Sequence, residues 1–253
     1  MARADPTAAA RFAAQRHVVG TITPSGNTVV ERVTIGVVRD LPEVSVHFSR
    51  TPVFGSVDPS PDGYAIDGLL GAARLLAHAA PEVLVWNGSK GAGIGFAHDR
   101  DLVARIEGET GIRCTTSILG MRALLAARGI ERIAVVTPYS QSSQQKTLDC
   151  LAREGFECVA HACSGLSDNL SYASVPPQEI AAMARQVAAA RPQAIVCLCT
   201  NFPAAIMAAP LEAELGIPVY DSTALGIWHA LQLCAADSRA AVPLWGSLFG
   251  EQL

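Results

Sequence analysis

Two patterns of apolar residues alternate along most of the chain. Short apolar runs rich in valine and isoleucine are followed by longer segments, rich in alanine, leucine and arginine, in which apolar residues recur with helical period. This alternation is typical of a parallel β-sheet covered by helices. The short runs predict strands over His17–Ile22, Val44–Phe48, Val83–Trp86, Arg132–Thr137, Glu157–His161, Ala194–Leu198 and Val219–Tyr220.

The longer segments predict helices over Gly63–Ala79, Asp99–Glu109, Ile118–Ala127, Ser142–Arg153, Gln178–Ala190, Phe202–Leu215 and Ala224–Leu233. Gly129, Gly155 and Gly216 stand where helix-ending glycines are expected. Residues 1–17 hold three arginines among alanines and predict a frayed helix or tail.

The chain also carries an internal repeat. Residues 73–88 align without gaps with residues 184–199, so that Gly88 falls opposite Cys199. Chance similarity between two alanine-rich helices is the alternative explanation of this one match. Two further matches follow in the same order, residues 23–25 with 137–139 and residues 111–120 with 216–226. Three ordered matches favour a true repeat.

The repeat predicts an α/β fold with two pseudo-symmetric halves, each a parallel sheet flanked by helices. We assign residues 1–117 plus 221–253 to the first half and residues 118–220 to the second. In open parallel sheets, ligands bind beyond the carboxyl ends of the strands. We therefore expect the active site in a cleft between the halves, formed by residues that follow strands.

Composition excludes several classes of protein. Of the 253 residues, 50% are hydrophobic and 17% are charged, which excludes a disordered chain and predicts a globular protein with a buried core. The length predicts one or two domains. The formal net charge of −4 argues against nucleic acid as a partner. No apolar stretch has the length of a membrane span or a signal-peptide core, so we expect a soluble cytoplasmic protein without a membrane partner.

The seven cysteines argue against disulfide and metal frameworks. Their number is odd and none forms a Cys-x-x-Cys pair, which leaves a zinc ribbon unsupported and favours a reducing compartment. No paired histidines suggest a metal either. We therefore expect a site without metal or cofactor, built from thiol, hydroxyl, amide and backbone N–H groups.

Cys199 is the leading candidate for chemistry. It lies one residue beyond a predicted strand and just before a predicted helix, whose N-terminus would lower the pKa of the thiol. The alternative is a buried, inert thiol, which is our interpretation of Cys197 two residues earlier. The remaining cysteines are assigned to packing or to the surface: Cys114, Cys150, Cys158, Cys163 and Cys234.

The matching turn of the first half runs from Asn87 to Gly93. The glycines there, Gly88 among them, let backbone N–H groups approach a ligand, and Ser89 can donate a hydrogen bond, so the turn could cradle an anion. It is neither a Walker loop nor a dinucleotide fingerprint. Lys90 is one of only two lysines; it faces either a substrate carboxylate or solvent.

Four more polar side chains lie at strand ends or on a nearby loop. Ser25 and Asn27 suit helix capping as well as carboxylate binding, and the hydroxyl of Tyr139 could point into the cleft. Asn169 lies on a long polar loop, where plain turn chemistry is the alternative. Their common location strengthens each assignment.

Together these residues resemble the aspartate/glutamate racemase superfamily, and within it the maleate cis-trans isomerase and arylmalonate decarboxylase branch. Residues 23–28 (Thr-Pro-Ser-Gly-Asn-Thr) are similar to the isomerases' Pro-Ser-Ser-Asn-Thr, and residues 137–139 to their Thr-Pro-Tyr. Residues 168–169 are similar to their loop asparagine, and Cys199-Thr200-Asn201 to their second Cys-Thr-Asn. The resemblance covers nearly the whole chain and implies two pseudo-symmetric halves with the site between them.

One departure from the pattern bears on function. Racemases and maleate isomerases carry a first cysteine where this chain has Gly88, whereas arylmalonate decarboxylases resemble it in having glycine there and only the second cysteine. The resemblance implies that Cys199 protonates an enediolate after CO₂ leaves, and that the charge is held by Ser25, Gly88, Ser89, Tyr139 and the backbone at Cys199 and Thr200.

We therefore expect a cofactor-independent decarboxylase of a substituted malonate-type dicarboxylate. Lys90 replaces the small hydroxyl residue of the decarboxylases, which with Asn27 and Asn169 points to a more polar substrate. Thr200 and Asn201 complete the substrate-binding set. The alternatives are an isomerase or racemase in which Ser89 or Lys90 replaces the first thiol, and a carboxylate-binding protein without catalysis. Self-association into a homo-oligomer is left open.

Overall fold

The computed structural model describes residues 16–54, 60 and 62–253. Of the tail predicted for residues 1–17, residues 1–15 lie outside the described part of the chain. None of the described helices is both long enough and apolar enough to cross a bilayer.

Within the described part of the chain, eight parallel strands form two separate sheets. The first sheet has the strand order β2-β1-β3-β4 and the second has the order β6-β5-β7-β8, so the two orders are equivalent. This equivalence confirms the two pseudo-symmetric halves. The strands are β1 His17–Pro24, β2 Val44–Thr51, β3 Val83–Trp86, β4 Arg113–Thr116, β5 Arg132–Tyr139, β6 Glu157–Leu166, β7 Ala194–Cys197 and β8 Val219–Asp221.

Helices cover the sheets in both halves. They are α1 Val30–Val38, α2 Ile66–Ala77, α3 Gly91–Ile94, α4 Phe96–Thr110, α5 Ser117–Ala127, α6 Gln141–Arg153, α7 Asn169–Tyr172, α8 Pro177–Ala188, α9 Ala208–Leu215, α10 Ser222–Leu233 and α11 Val242–Trp245. Short 3₁₀ turns lie at Ala205–Met207, Arg239–Ala241 and Ser247–Gly250. As predicted, Gly129, Gly155 and Gly216 follow helix ends with positive φ angles of 60°, 95° and 65°.

The sequence interpretation missed the helix α1, the strand β4 and the four-residue helices α3, α7 and α11. The helix α1 is rich in β-branched residues, which have low helix propensity, but its buried residues follow a helical period: Val30, Val33, Thr34 and Val37. The strand β4 reads Arg-Cys-Thr-Thr and is too short and polar to stand out. The repeat contained the missing signal, because residues 111–120 match a segment that holds β8.

The helix predicted over Phe202–Leu215 begins too early. Residues 200–204 form turns, a 3₁₀ turn follows, and α9 starts only at Ala208. Pro203 lies inside the predicted range and disfavours a helical conformation in Phe202, the residue before it. Pro210 lies in the first turn of α9, where proline is tolerated. Cys199 therefore does not stand at a helix N-terminus.

The two halves meet through α5 and α10, which pack closely. A Cβ atom at Gly120 would lie 2.9 Å from Cβ of His229, and one at Gly226 would lie 2.8 Å from Oγ of Ser117. Gly120 and Gly226 are equivalent in the repeat, so each half supplies a position where only glycine fits. One cluster of buried apolar side chains includes Val85 of β3 and Val135 of β5, and thus joins the halves.

Candidate active site

A cavity of about 770 Å³ lies between the halves, at the carboxyl ends of the central strands. Because both sheets are parallel, the residues that follow β3, β5 and β7 converge there. Its walls also carry aromatic and apolar side chains from the first half. The lining residues include Pro24, Val53, Phe54, Ser60, Asp62, Tyr64, Leu69, Trp86, Gly88, Ser89, Lys90, Ile94, His98, Tyr139, Ser143, Lys146, Thr147, Asn169, Tyr172, Cys199 and Thr200.

The structure brings most of the predicted site residues to this cavity. Seven of them line it: Gly88, Ser89, Lys90, Tyr139, Asn169, Cys199 and Thr200. Three others, Ser25, Asn27 and Asn201, are not in the lining and form hydrogen bonds behind it.

Cys199 has an unusual backbone conformation. Its φ angle is 114°, a region that residues other than glycine rarely adopt. Such strain costs on the order of 1–3 kcal/mol and persists only where the surrounding structure imposes it. Here the backbone N–H of Phe202 donates to the carbonyl oxygen of Cys199 at 3.0 Å, closing a tight turn directly after β7. This turn aims Cys199 at the cavity.

The Cys199 thiol holds its proton firmly. Burial raises its pKa to about 12, while hydrogen bonds from the Asn201 backbone and from the Tyr139 hydroxyl lower it by less. The expectation of a pKa lowered by a helix N-terminus is wrong, because no helix begins there. A thiol of this kind is suited to donate a proton rather than to act as a ready thiolate nucleophile.

Tyr139 and Ser89 join the two halves at the cavity. The hydroxyl oxygens of these residues are 3.3 Å apart, and the Tyr139 hydroxyl also contacts Cys199. Burial holds the pKa of Tyr139 well above its usual value, so the phenol keeps its proton and remains a donor. The ring packs edge-on against Tyr172 at a centroid distance of 5.6 Å. Two hydroxyl donors from opposite halves thus lie beside the thiol.

Asn27 and Asn201 tie the loops behind the cavity together. Asn27 Nδ2 donates to Thr200 Oγ1 at 3.3 Å, and its Oδ1 accepts the N–H groups of Val29 and Val30 at the start of α1. Asn201 Oδ1 accepts the N–H of Thr28 at 2.8 Å. Both side chains are almost fully buried, so their amides hold the backbone in place and are not directed at a ligand.

Asn169 does reach the lining. Its backbone carbonyl accepts a hydrogen bond from Asn201 Nδ2 at 2.6 Å, which fixes the loop. Its own Nδ2 is buried without a partner among the described residues. A buried amide donor that lines a cavity is suited to bind an oxygen of a ligand. Ser25, by contrast, exchanges hydrogen bonds with the backbone of Val53 at 3.1 and 3.3 Å.

Lys90 is held on the first-half wall of the cavity. Its ammonium group donates to the backbone carbonyl of Ser60 and lies 6.0 Å from the ring centroid of Tyr64. Lys146, the other lysine of the chain, also lines the cavity. Both lysines therefore contribute positive charge to the space where an anionic substrate would enter.

Three residues near this wall were not singled out from the sequence. Trp86, the last residue of β3, lines the cavity, and so does Tyr64. The Tyr64 hydroxyl donates to Asp99 Oδ2 at 3.1 Å, and burial raises the pKa of Asp99 to about 6. Trp86 could have been noticed, since alternate residues of a strand share a face and Gly88 lies two residues later.

Potential metal ligands cluster away from the cavity. Within the residues that the structure describes, His17, Glu82 and Cys234 form the one such group, with His17 Nδ1 at 3.0 Å from Glu82 Oε1. None of the three lines the cavity. Among the described lining residues, the cavity itself carries a thiol, hydroxyls, amides and two lysines, together with the imidazole of His98 and the carboxylate of Asp62.

The chain is similar to known proteins over most of its length. A model of the arylmalonate decarboxylase family matches residues 54–248. A maleate isomerase of Nocardia farcinica is 28% identical over 248 residues, which cover 92% of this chain and 95% of that protein. An arylmalonate decarboxylase of Bordetella bronchiseptica is 25% identical over 236 residues, covering 92% of this chain and 96% of that protein.

Solved structures show the same fold. The maleate isomerase Iso from Pseudomonas putida S16 superposes with a TM-score of 0.82 at 23% identity, covering 91% of this chain and 99% of that one. An unliganded arylmalonate decarboxylase superposes with a TM-score of 0.75 at 22% identity, covering 94% of this chain and 100% of that one.

Proposed function

The chain belongs to the arylmalonate decarboxylase family, and from this premise we propose that it is a cofactor-independent decarboxylase of a substituted malonate-type dicarboxylate. The observation that carries the proposal is the presence of one thiol at the cavity. Cys199 lines it on one side, and the equivalent position of the other half is Gly88. Protonation of a carbanion from one side requires a single acid.

Two hydroxyl groups support the charge that develops during the reaction. Loss of CO₂ leaves an electron pair shared between the α-carbon and the remaining carboxylate. Ser89 and Tyr139, whose hydroxyl oxygens are 3.3 Å apart, can donate to one oxygen of this enediolate. Gly88 and Thr200 also line the cavity, one from each half. Removing one such donor from an enzyme costs roughly 10²–10³-fold in kcat.

Cys199 then supplies the proton. Its S–H bond breaks as a C–H bond forms at the α-carbon, and the resulting thiolate recovers a proton from water. A pKa raised to about 12 keeps the thiol protonated before each turnover. This supports an acid role, since a nucleophilic role requires the thiolate.

The lining favours a substrate with polar groups beyond the reacting carboxylates. Asn169 offers a buried amide donor without a protein partner among the described residues, and Lys90 and Lys146 place positive charge on the walls. A dicarboxylate with a polar substituent would use these groups.

A maleate-type cis-trans isomerase or a racemase is the second candidate. It is favoured by the similarity to the maleate isomerase of Nocardia farcinica. Such a reaction would need Ser89 or Lys90 in place of a first thiol. The Lys90 amine already donates to the Ser60 carbonyl, which weighs against that role.

The test is to incubate the protein with phenylmalonate, alkylmalonates and maleate and to follow CO₂ release and fumarate formation. We expect CO₂ from a malonate, abolished in Cys199→Ala. The matched control is Cys197→Ala, which removes a buried thiol from β7 outside the lining and should keep the activity. Conversion of maleate to fumarate without CO₂ release would select the isomerase. Decarboxylation that survives Cys199→Ala would refute the mechanism.

A further inference from the structure

The Trp86 indole occupies the space where a side chain at position 88 would begin. A Cβ atom built on Gly88 would lie 2.4 Å from Cζ2 of Trp86, 2.5 Å from Cε2 and 2.8 Å from Nε1. Carbon atoms in contact are normally about 3.5–4.0 Å apart, so nothing larger than glycine fits unless the indole moves. The six-membered ring of the indole therefore covers the Gly88 backbone.

The indole is held in this place. Trp86 is 3% exposed and packs in a buried cluster with Ile22 and Leu69. The Tyr64 ring stands edge-on to it at 6.1 Å, with an interplanar angle of 86°. Tyr64 is itself fixed by its hydrogen bond to the buried Asp99. A large rotation of the indole would disturb all of these contacts.

The internal repeat relates this wall to the thiol. Gly88 follows β3 in the first half as Cys199 follows β7 in the second, and both line the cavity. A ligand between the halves therefore meets a thiol on one side and a tryptophan on the other. The indole N–H is a hydrogen-bond donor only and has no titratable proton to deliver to carbon.

We propose that Trp86 determines the stereochemistry of the reaction. The indole covers the face of the enediolate opposite Cys199 and excludes water from it, so the proton arrives from the Cys199 side alone and one enantiomer forms. This inference rests on the decarboxylase function proposed above. It adds Trp86 as a specificity-determining residue, beside the choice of glycine or cysteine at position 88.

The test uses a malonate with two different substituents at the α-carbon, methyl and phenyl, and measures both product enantiomers by chiral chromatography. We expect the wild-type protein to give one enantiomer. In Trp86→Ala, water reaches the uncovered face, and the minor enantiomer should rise by roughly tenfold or more. Trp86→Phe, which keeps an aromatic ring but shortens it over Gly88, should give a smaller rise. Trp245→Ala, which truncates a buried tryptophan of α11 outside the lining, is the matched control and should leave the ratio unchanged.

A thermal double-mutant cycle tests the contact without relying on activity. Gly88→Ala should lower the Tm by roughly 5 °C because the new methyl group collides with the indole, and the loss should largely disappear in the Trp86→Leu background. Equal losses in both backgrounds would overturn the packing argument. CO₂ release with an unchanged enantiomer ratio in Trp86→Ala would overturn the inference alone. Absence of CO₂ release from the wild-type protein would overturn the proposed function and the inference with it.

Discussion

Asn27 and Asn201 each reach into the loop that the other residue belongs to. Asn27 donates to the side chain of Thr200 at 3.3 Å, and Asn201 accepts the backbone N–H of Thr28 at 2.8 Å. The two loops follow β1 and β7, one in each half. This reciprocal pair fixes the backbone immediately beside Cys199, so the position of the thiol depends on a residue of the other half.

Replacement of Asn201 should therefore affect both stability and catalysis. Asn201→Ala leaves the N–H of Thr28 and the carbonyl of Asn169 without their partners, which should lower the free energy of unfolding by about 1–3 kcal/mol. Urea denaturation measures this loss. Gln145→Ala, which removes an exposed bond to Asp149, is the control and should change stability by less than about 0.5 kcal/mol. If Asn201→Ala and Gln145→Ala lowered the free energy of unfolding equally, the proposed role of Asn201 would be contradicted.

Cys199 should behave as a thiol of high pKa. With a pKa of about 12, its alkylation by iodoacetamide should accelerate about tenfold per pH unit from pH 7 to pH 10, without a plateau. Mass spectrometry of the peptide that contains Cys199 gives the rate, and Cys199→Ser identifies the signal. A plateau near pH 8 would show an activated thiolate and would contradict the proposed acid role.

Tyr139→Phe should lower kcat for decarboxylation by roughly 10²-fold, because it removes a donor to the developing negative charge. The loss should fall mainly on kcat, with the fold retained. Tyr220→Phe is the control, since Tyr220 is a buried tyrosine in β8 that does not line the cavity. A kcat of Tyr139→Phe within twofold of the wild-type value would exclude the hydroxyl from the reaction.

Asp221 should make stability depend on pH. Its carboxylate accepts the N–H groups of Thr223 and Ala224 at the start of α10, but burial raises its pKa from 3.8 to about 7. A raised pKa means that the folded state binds the proton more tightly. The associated stability is present below about pH 4 and is lost as the pH rises through about 7.

Asp221→Asn keeps an acceptor oxygen and cannot ionise. Its free energy of unfolding should rise relative to the wild-type value between pH 4 and pH 8, by at most about 4 kcal/mol. Asp237→Asn is the control, because Arg239 lowers the pKa of the exposed Asp237 to about 2 and its ionisation does not change in this range. If the difference in the free energy of unfolding between Asp221→Asn and the wild type stayed constant from pH 4 to pH 8, the raised pKa of Asp221 would be contradicted.

Much of the fold could be predicted because buried parallel strands appear in the sequence as apolar runs. The repeat also placed Gly88 and Cys199 at equivalent strand ends, which led to the cavity. The sequence could not distinguish Asn169, whose amide lines the cavity, from Asn27, whose amide crosses to Thr200. Both are polar residues beyond strands, and the contact of Asn27 joins positions 173 residues apart.

The conformation of Cys199 was beyond prediction for a related reason. The sequence placed it correctly beyond a strand but suggested a helix N-terminus, from which a low pKa followed. Pro203 interrupts the predicted helix, which starts only at Ala208, and burial then dominates the pKa of Cys199. The role of Trp86 depends on its contact with Gly88, which is visible only once the strand is placed.

The packing of α5 against α10 bears on how the protein is made. The buried face of α5, with Ile118, Met121 and Leu125, is covered in part by α10, which is synthesised after all four strands of the second sheet. Until α10 has been made, the part of the α5 surface that it covers stays exposed. Burial of α5 therefore waits for α10, and we expect the two halves to fold as one cooperative unit.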